Sequence, residues 1–165
     1  MGVAMTEEEV RGFLAAAHTG VLSTLRADGR PAAVPLWFVL DGADVVVRTR
    51  SGSAKAANVR RDPRVSFLVE EGRAWAELRA VAISGRAVAE RDPAARARID
   101  AAFAAKYAAF LMPSGAPDAS RRHYAAPRVH LRIEAAGRPL SWDNSKLLRG
   151  APAPGSEDRV AAVDG

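Results

Sequence analysis

The stretch GVLSTLRADGRPAAVPLWFVLDGADVVVRTRSGSAKAANVRRDP, residues 20–63, sets the organisation of the chain. Gly20 opens a strand-forming run, Val21 to Arg26. Asp28-Gly29 turns it into Pro31 to Leu40, which is apolar almost throughout, and Asp41-Gly42 turns again into Val45 to Thr49. Glycine accepts the positive φ that tight hairpin turns demand, so two Asp-Gly pairs between such runs predict an antiparallel meander. Ser51-Gly52-Ser53 follows, then a short helix over Ala54 to Arg61 closed by Asp62-Pro63.

Working outward, Thr6 with Glu9 forms a capping-box pattern and predicts a first helix over about Thr6 to Ala17. Downstream, Val65, Phe67 and Val69 alternate with polar residues as a half-buried strand does. Gly72 leads into a long run from Ala74 to about Glu90. Asp92-Pro93 suits a helix start, and Ile99, Phe103, Tyr107 and Phe110 share one face of the helix that follows. Pro113 to Pro127 reads as a loop, and Val129, Leu131 and Ile133 mark the last strand. The expected architecture is mainly β with flanking helices: a six-stranded antiparallel barrel over residues 1–148 and a disordered tail over 149–165. Closing a barrel also removes exposed strand edges.

The 165 residues suffice for one domain with a real core. No cysteine is present, which excludes disulfides, thiolate catalysis and zinc-thiolate or iron–sulfur sites. His18, His123 and His130 are scattered without ligand spacing, so no metal site is expected. His130 falls at an outward strand position and is expected to be solvated, while Trp75 is assigned to core packing or a dimer contact. No apolar run approaches the roughly 20 residues of a membrane span. The acidic start, Glu7-Glu8-Glu9, is unlike a signal sequence, so the expectation is a cytoplasmic protein. The net charge of +5 comes mostly from arginine, which suits phosphate or carboxylate recognition. With three Trp, two Tyr and five Phe, most at core positions, a nucleic-acid stacking face ranks last.

The chemistry concentrates in residues 48–55. A strand ends in Arg48-Thr49-Arg50, small hydroxyl residues follow, and Ser53 stands at a helix N-cap with Lys55 in the first turn. Hydroxyls, free backbone N–H groups, a helix dipole and cations in one loop are what a phosphate needs. A Ser-capped basic helix with a solvated face has the same spacing, and at this point both readings stand.

This segment resembles the third-strand region of the pyridoxamine 5'-phosphate oxidase-like split barrels, in which Thr, then Ser and Lys four and six residues later, precede a short helix and an Asn/Asp-Pro pair. Thr49, Ser53, Lys55 and Asp62-Pro63 match that order, and residues 20–31 resemble the family's first hairpin. Arg79 and Gly85 fall where the oxidases place an Arg-Gln pair and a later Gly. Ala33 and Phe38 stand in place of their second-strand Arg and Lys, and Ala80 in place of Gln. The resemblance therefore implies the branch using FMN or the deazaflavin coenzyme F420, not a true pyridoxamine 5'-phosphate oxidase. Ser141-Trp142-Asp143 with Lys146 is similar to the ending of that branch.

By that resemblance the fold is an FMN-binding-type split barrel, and Thr49, Arg50, Ser51, Ser53 and Lys55 hold the cofactor phosphate. The ring lies along Val34, Pro35 and Leu36, with Arg79, Ala80, Trp142 and Lys146 as further contacts. The implied activity is hydride transfer to a small unsaturated, nitro or quinone-like substrate, by a homodimer with shared sites. The alternative is a carrier or sensor of flavin, deazaflavin or haem. No side chain is expected to act as catalytic acid or base, since the cofactor carries the chemistry.

Overall fold

The computed structural model describes residues 3–111, 113 and 115–148. The chain begins with α1 (Glu7–Ala16), whose capping box is present: Thr6 Oγ1 accepts from the Glu9 amide at 3.2 Å and Glu9 Oε2 from the Thr6 amide at 2.7 Å. The predicted hairpins follow as β1 (Gly20–Leu25), β2 (Pro31–Leu36), β3 (Phe38–Asp41) and β4 (Asp44–Arg50). Gly29 and Gly42 take φ of +80° and +67° in the two turns, values that side chains strain against. Next come α2 (Ala54–Arg61), β5 (Arg64–Glu71), β6 (Arg79–Ala89), α3 (Pro93–Lys106), α4 (Asp118–Ala125), β7 (Arg128–Ala135), β8 (Leu140–Asp143) and α5 (Ser145–Leu148).

All eight strands form one antiparallel sheet in the order β2-β1-β5-β6-β7-β4-β3, with β8 paired to β6. The strands at the two ends of that path, β2 and β3, are successive halves of one segment separated only by Trp37. The sheet therefore curls round a single interior. Leu22, Phe38, Val45, Val47, Phe67, Val69, Val81, Ile83, Leu131 and Ile133 fill it, and Phe13 and Leu14 of α1 join the same cluster. On the outer face α3 packs Ile99, Phe103 and Tyr107 against Val39 and Val46.

Four sequence expectations are corrected. Among the described residues the strands number eight, not six. The second strand changes partner at Trp37, from β1 to β4, and residues 140–143, too short to show a period, become a strand by pairing with β6. The run beginning at Ala74 starts with a 3-10 turn, Trp75–Glu77, and Trp75 is 59% exposed, which excludes core packing within this chain. Residues 118–125 are helical. His130 is only 3% exposed, because α3 covers the outer face on which it stands. The expected tail, 149–165, lies outside the described residues. Among the described residues no helix is long and apolar enough to cross a membrane.

The strand break is held by one side chain. Tyr107 Oη accepts from the Phe38 amide at 3.0 Å and lies 2.8 Å from the carbonyl oxygens of Phe38 and His18. Its ring stacks on Trp37, with centroids 4.3 Å apart and planes within 2°. Groups that lose their ladder partners at the break thus find a buried hydroxyl instead.

Candidate functional site

The N-terminus of α2 is built as the spacing predicts. Ser53 caps it, its Oγ accepting from the Ala56 amide at 3.3 Å and lying 3.2 Å from Thr49 Oγ1. Both hydroxyl residues are buried. The helix is anchored on its other side by Asn58, whose Nδ2 donates to Thr24 Oγ1 at 3.0 Å, and by Arg61, which donates to the Leu25 carbonyl. Arg60 donates to the Ser51 carbonyl at 3.0 Å, and the Ser51 amide donates to Pro127 at 2.9 Å. The loop is therefore rigid before any ligand arrives, and its binding costs little ordering entropy.

Beside this loop opens a cleft of about 750 Å³. Its polar lining is Arg48, Thr49, Arg50, Lys55 and Arg128; its apolar lining is Pro35, Leu36, Trp37, Phe103, Phe110 and Leu111. Among the described residues four cations and no carboxylate line it. Burial, and then the charge of Arg50, push the Lys55 ammonium below its ordinary pKa. Like charges gathered in a part-buried site disfavour one another, and an anion relieves that repulsion.

The structure thus brings Pro35, Leu36, Thr49, Arg50 and Lys55 to one cleft, with Ser53 directly behind Thr49. Val34, half-buried in β2, and Ser51, tied through its backbone, adjoin it without lining it. The other candidates lie elsewhere in the chain. Arg79 and Ala80 pair across the sheet with Asp143 and Trp142. Arg79 donates to Glu71 at 2.7 Å and lies over the Phe13 ring, in a separate cleft of about 420 Å³. Lys146 bonds Glu9 Oε2 at 2.5 Å and the Ala4 carbonyl at 2.9 Å, strapping the start of α1.

Sequence reading missed Phe103, Phe110, Leu111 and Arg128 as wall residues. Phe103 and Phe110 sat on the stripe that reads as core. Phe110, 56% exposed, leaves that stripe where α3 gives way to a 3-10 turn. Arg128 reaches the cleft only because β7 pairs with β4, Arg50 opposite Arg128.

Lys106 stands near this wall with its Nζ 4.1 Å from the centroid of the Phe38 ring, and no carboxylate among the described residues pairs with it. Burial lowers its pKa to about 8 from 10.5. The unfolded chain then holds this proton more tightly, so the group costs stability below about pH 8, a cost that fades toward pH 10.5. Lys106→Met is expected to raise unfolding free energy at pH 7 by on the order of 1 kcal/mol, after discounting for the solvent that still reaches the ammonium. Its advantage should vanish near pH 10.5. Urea titrations at both pH values check this, and an unchanged midpoint at pH 7 contradicts it.

The chain also resembles known proteins in sequence and fold. The sequence profile described as pyridoxamine 5'-phosphate oxidase matches residues 6–137. The F420H(2)-dependent biliverdin reductase of Mycobacterium tuberculosis is 30% identical over 102 residues, 61% of this chain and 71% of that protein. A conserved hypothetical protein of Mycobacterium tuberculosis superposes with a TM-score of 0.76 at 32% identity, covering 99% of this chain and 95% of the other. A FAD-binding protein of Mesorhizobium loti superposes with a TM-score of 0.62 at 25% identity, over 84% of this chain and 94% of the other.

Proposed function

The chain belongs to the pyridoxamine 5'-phosphate oxidase family, and from that premise we propose that it is an oxidoreductase using coenzyme F420, with FMN as the weaker ligand of the same cleft. The observation that carries this reading is the cleft's composition among the described residues: four cations and a threonine hydroxyl together with Trp37, Phe103 and Phe110, and no acidic side chain. Such a lining suits a flat conjugated ring attached to an anionic chain. The F420H(2)-dependent relative favours the deazaflavin over FMN.

The bound cofactor supplies the hydride. The chain's own contribution is to hold and to shield. Thr49 and Lys55 take the phosphate, with Arg48, Arg50 and Arg128 as further donors, and Ser53 fixes the Thr49 hydroxyl and the start of α2. Trp37, backed by Tyr107, supplies a flat wall that restrains a ring and excludes water. The acceptor is a small unsaturated, nitro or quinone-like compound. The working unit is a homodimer in which Arg79, Trp142 and Lys146 face the cofactor of the second copy, whereas Ala80, fully buried within its own chain, does not. Exposed Trp75, Leu140 and Leu148, at 59%, 67% and 52%, support a covered face near the β6–β8 pair.

The test is to titrate cofactor-free protein separately with F420 and FMN at equal salt, with light scattering alongside. F420 is expected to bind more tightly, to a species of twice the chain mass, and its reduced form to be reoxidised when acceptors are added. Failure of both cofactors to bind would sink the reading. Tight binding without turnover across the acceptor panel would replace it with a carrier or sensor.

A further inference from the structure

Arg48 is held at the cleft by two residues that do not line it. It stands directly opposite His130 in the β4–β7 pair. Both side chains lie on the outer face, since their neighbours Val47 and Leu131 belong to the interior. From α3 above, Asp100 reaches between them: its Oδ1 accepts from Arg48 Nη1 at 2.9 Å and from His130 Nε2 at 2.8 Å. The guanidinium also rests over the Phe103 ring, 4.5 Å from its centroid.

The state of the imidazole follows from its surroundings. Asp100 is ionised: burial opposes its charge, but the bonds from His130 and Arg48 outweigh that and keep its carboxyl below the usual range. A carboxylate only accepts hydrogen bonds, so the shared proton sits on His130 Nε2. Nδ1 is buried and has no hydrogen-bond partner among the described residues. His130 therefore donates to Asp100 through Nε2. It pins the Asp100 oxygen from beneath, which keeps the carboxylate from following Arg48 into solvent.

We propose that Asp100 and His130 are positioning residues of the cleft, holding Arg48 on its wall with the donors that Asp100 leaves unused presented to the anionic part of the cofactor. The proposal rests on the cofactor reading above. Without the carboxylate, Arg50, Lys55 and Arg128 would repel Arg48 from the wall.

Asp100→Ala, His130→Leu, His130→Gln and Arg48→Ala test it, with F420 as the probe. Alanine suits a helix interior, so Asp100→Ala leaves α3 intact. Arg48→Ala and Asp100→Ala are each expected to weaken F420 binding by roughly tenfold, while Asp100→Ala adds less than about twofold once Arg48 is Ala. His130→Leu should resemble Asp100→Ala, and His130→Gln, which keeps an N–H donor, should restore most of the affinity. In cofactor-free protein the Arg48 guanidinium proton signal should be sharp in the wild type and His130→Gln, and exchange-broadened in Asp100→Ala.

An undiminished Asp100→Ala effect in the Arg48→Ala background, or a guanidinium signal indifferent to Asp100, overturns the proposal. So does unchanged affinity in Arg48→Ala; if Lys55→Ala still weakens F420, the cofactor reading survives that failure. If wild-type protein binds no cofactor, that reading falls, and the guanidinium signal alone decides the positioning claim.

Discussion

Lys55→Ala is expected to weaken F420 binding by roughly 10- to 100-fold, the loss that follows from removing a charge-assisted hydrogen bond in a part-buried site. The stability of the empty protein should not fall with it. Lys55 makes no salt bridge among the described residues, and burial and Arg50 both disfavour its charge. A residue that costs the unliganded fold and serves only an anion should separate the two measurements. F420 titrations of both proteins, beside urea midpoints without cofactor, make the comparison. The wild-type affinity should also fall as salt rises, and the variant's less steeply, because one of four cations has gone. Equal affinities would remove the phosphate assignment.

The second large effect falls on the fold. Tyr107→Phe is expected to lower the unfolding free energy by about 2–3 kcal/mol, since it orphans the buried Phe38 amide and withdraws a donor from the carbonyls of Phe38 and His18. The ring itself stays apolar and can still stack on Trp37, so the loss isolates the hydroxyl. That hydroxyl sits where one strand ends its pairing with β1 and begins pairing with β4. The variant should therefore loosen the cleft wall at Trp37 as well, seen as a shift in tryptophan emission. An unchanged denaturation midpoint would mean that water or a rearranged backbone satisfies these groups in its place.

Much of the candidate site was legible because it is local. Arg48, Thr49, Arg50, Ser53 and Lys55 lie within eight residues, and the Ser53 cap and Thr49 contact span only three and four. The same holds for the Thr6–Glu9 capping box, the turns at Gly29 and Gly42 and the Asp92 cap of α3. Each is decided by atoms that the chain brings together within one turn, whatever the rest of the fold does. The wall opposite was not legible. Phe103 and Tyr107 share a helical stripe whose spacing is the same whether a residue faces core or cleft.

The sequence by itself determined the two Asp-Gly turns, the starts of α1, α2 and α3 and a Ser53-capped loop rich in hydroxyls and cations, since sterics and hydrogen bonds inside short segments settle these. Tertiary structure alone decided that the second strand breaks at Trp37, that residues 140–143 become a strand and that His130 is buried. It also moved Arg79, Trp142 and Lys146 away from Lys55 within one chain. The bonds responsible cross long separations: 52 residues from Arg48 to Asp100, 69 from Phe38 to Tyr107 and 137 from Lys146 to Glu9. A burial or a pairing of that kind depends on which surface closes over a residue, and that surface exists only once the sheet has curled on itself.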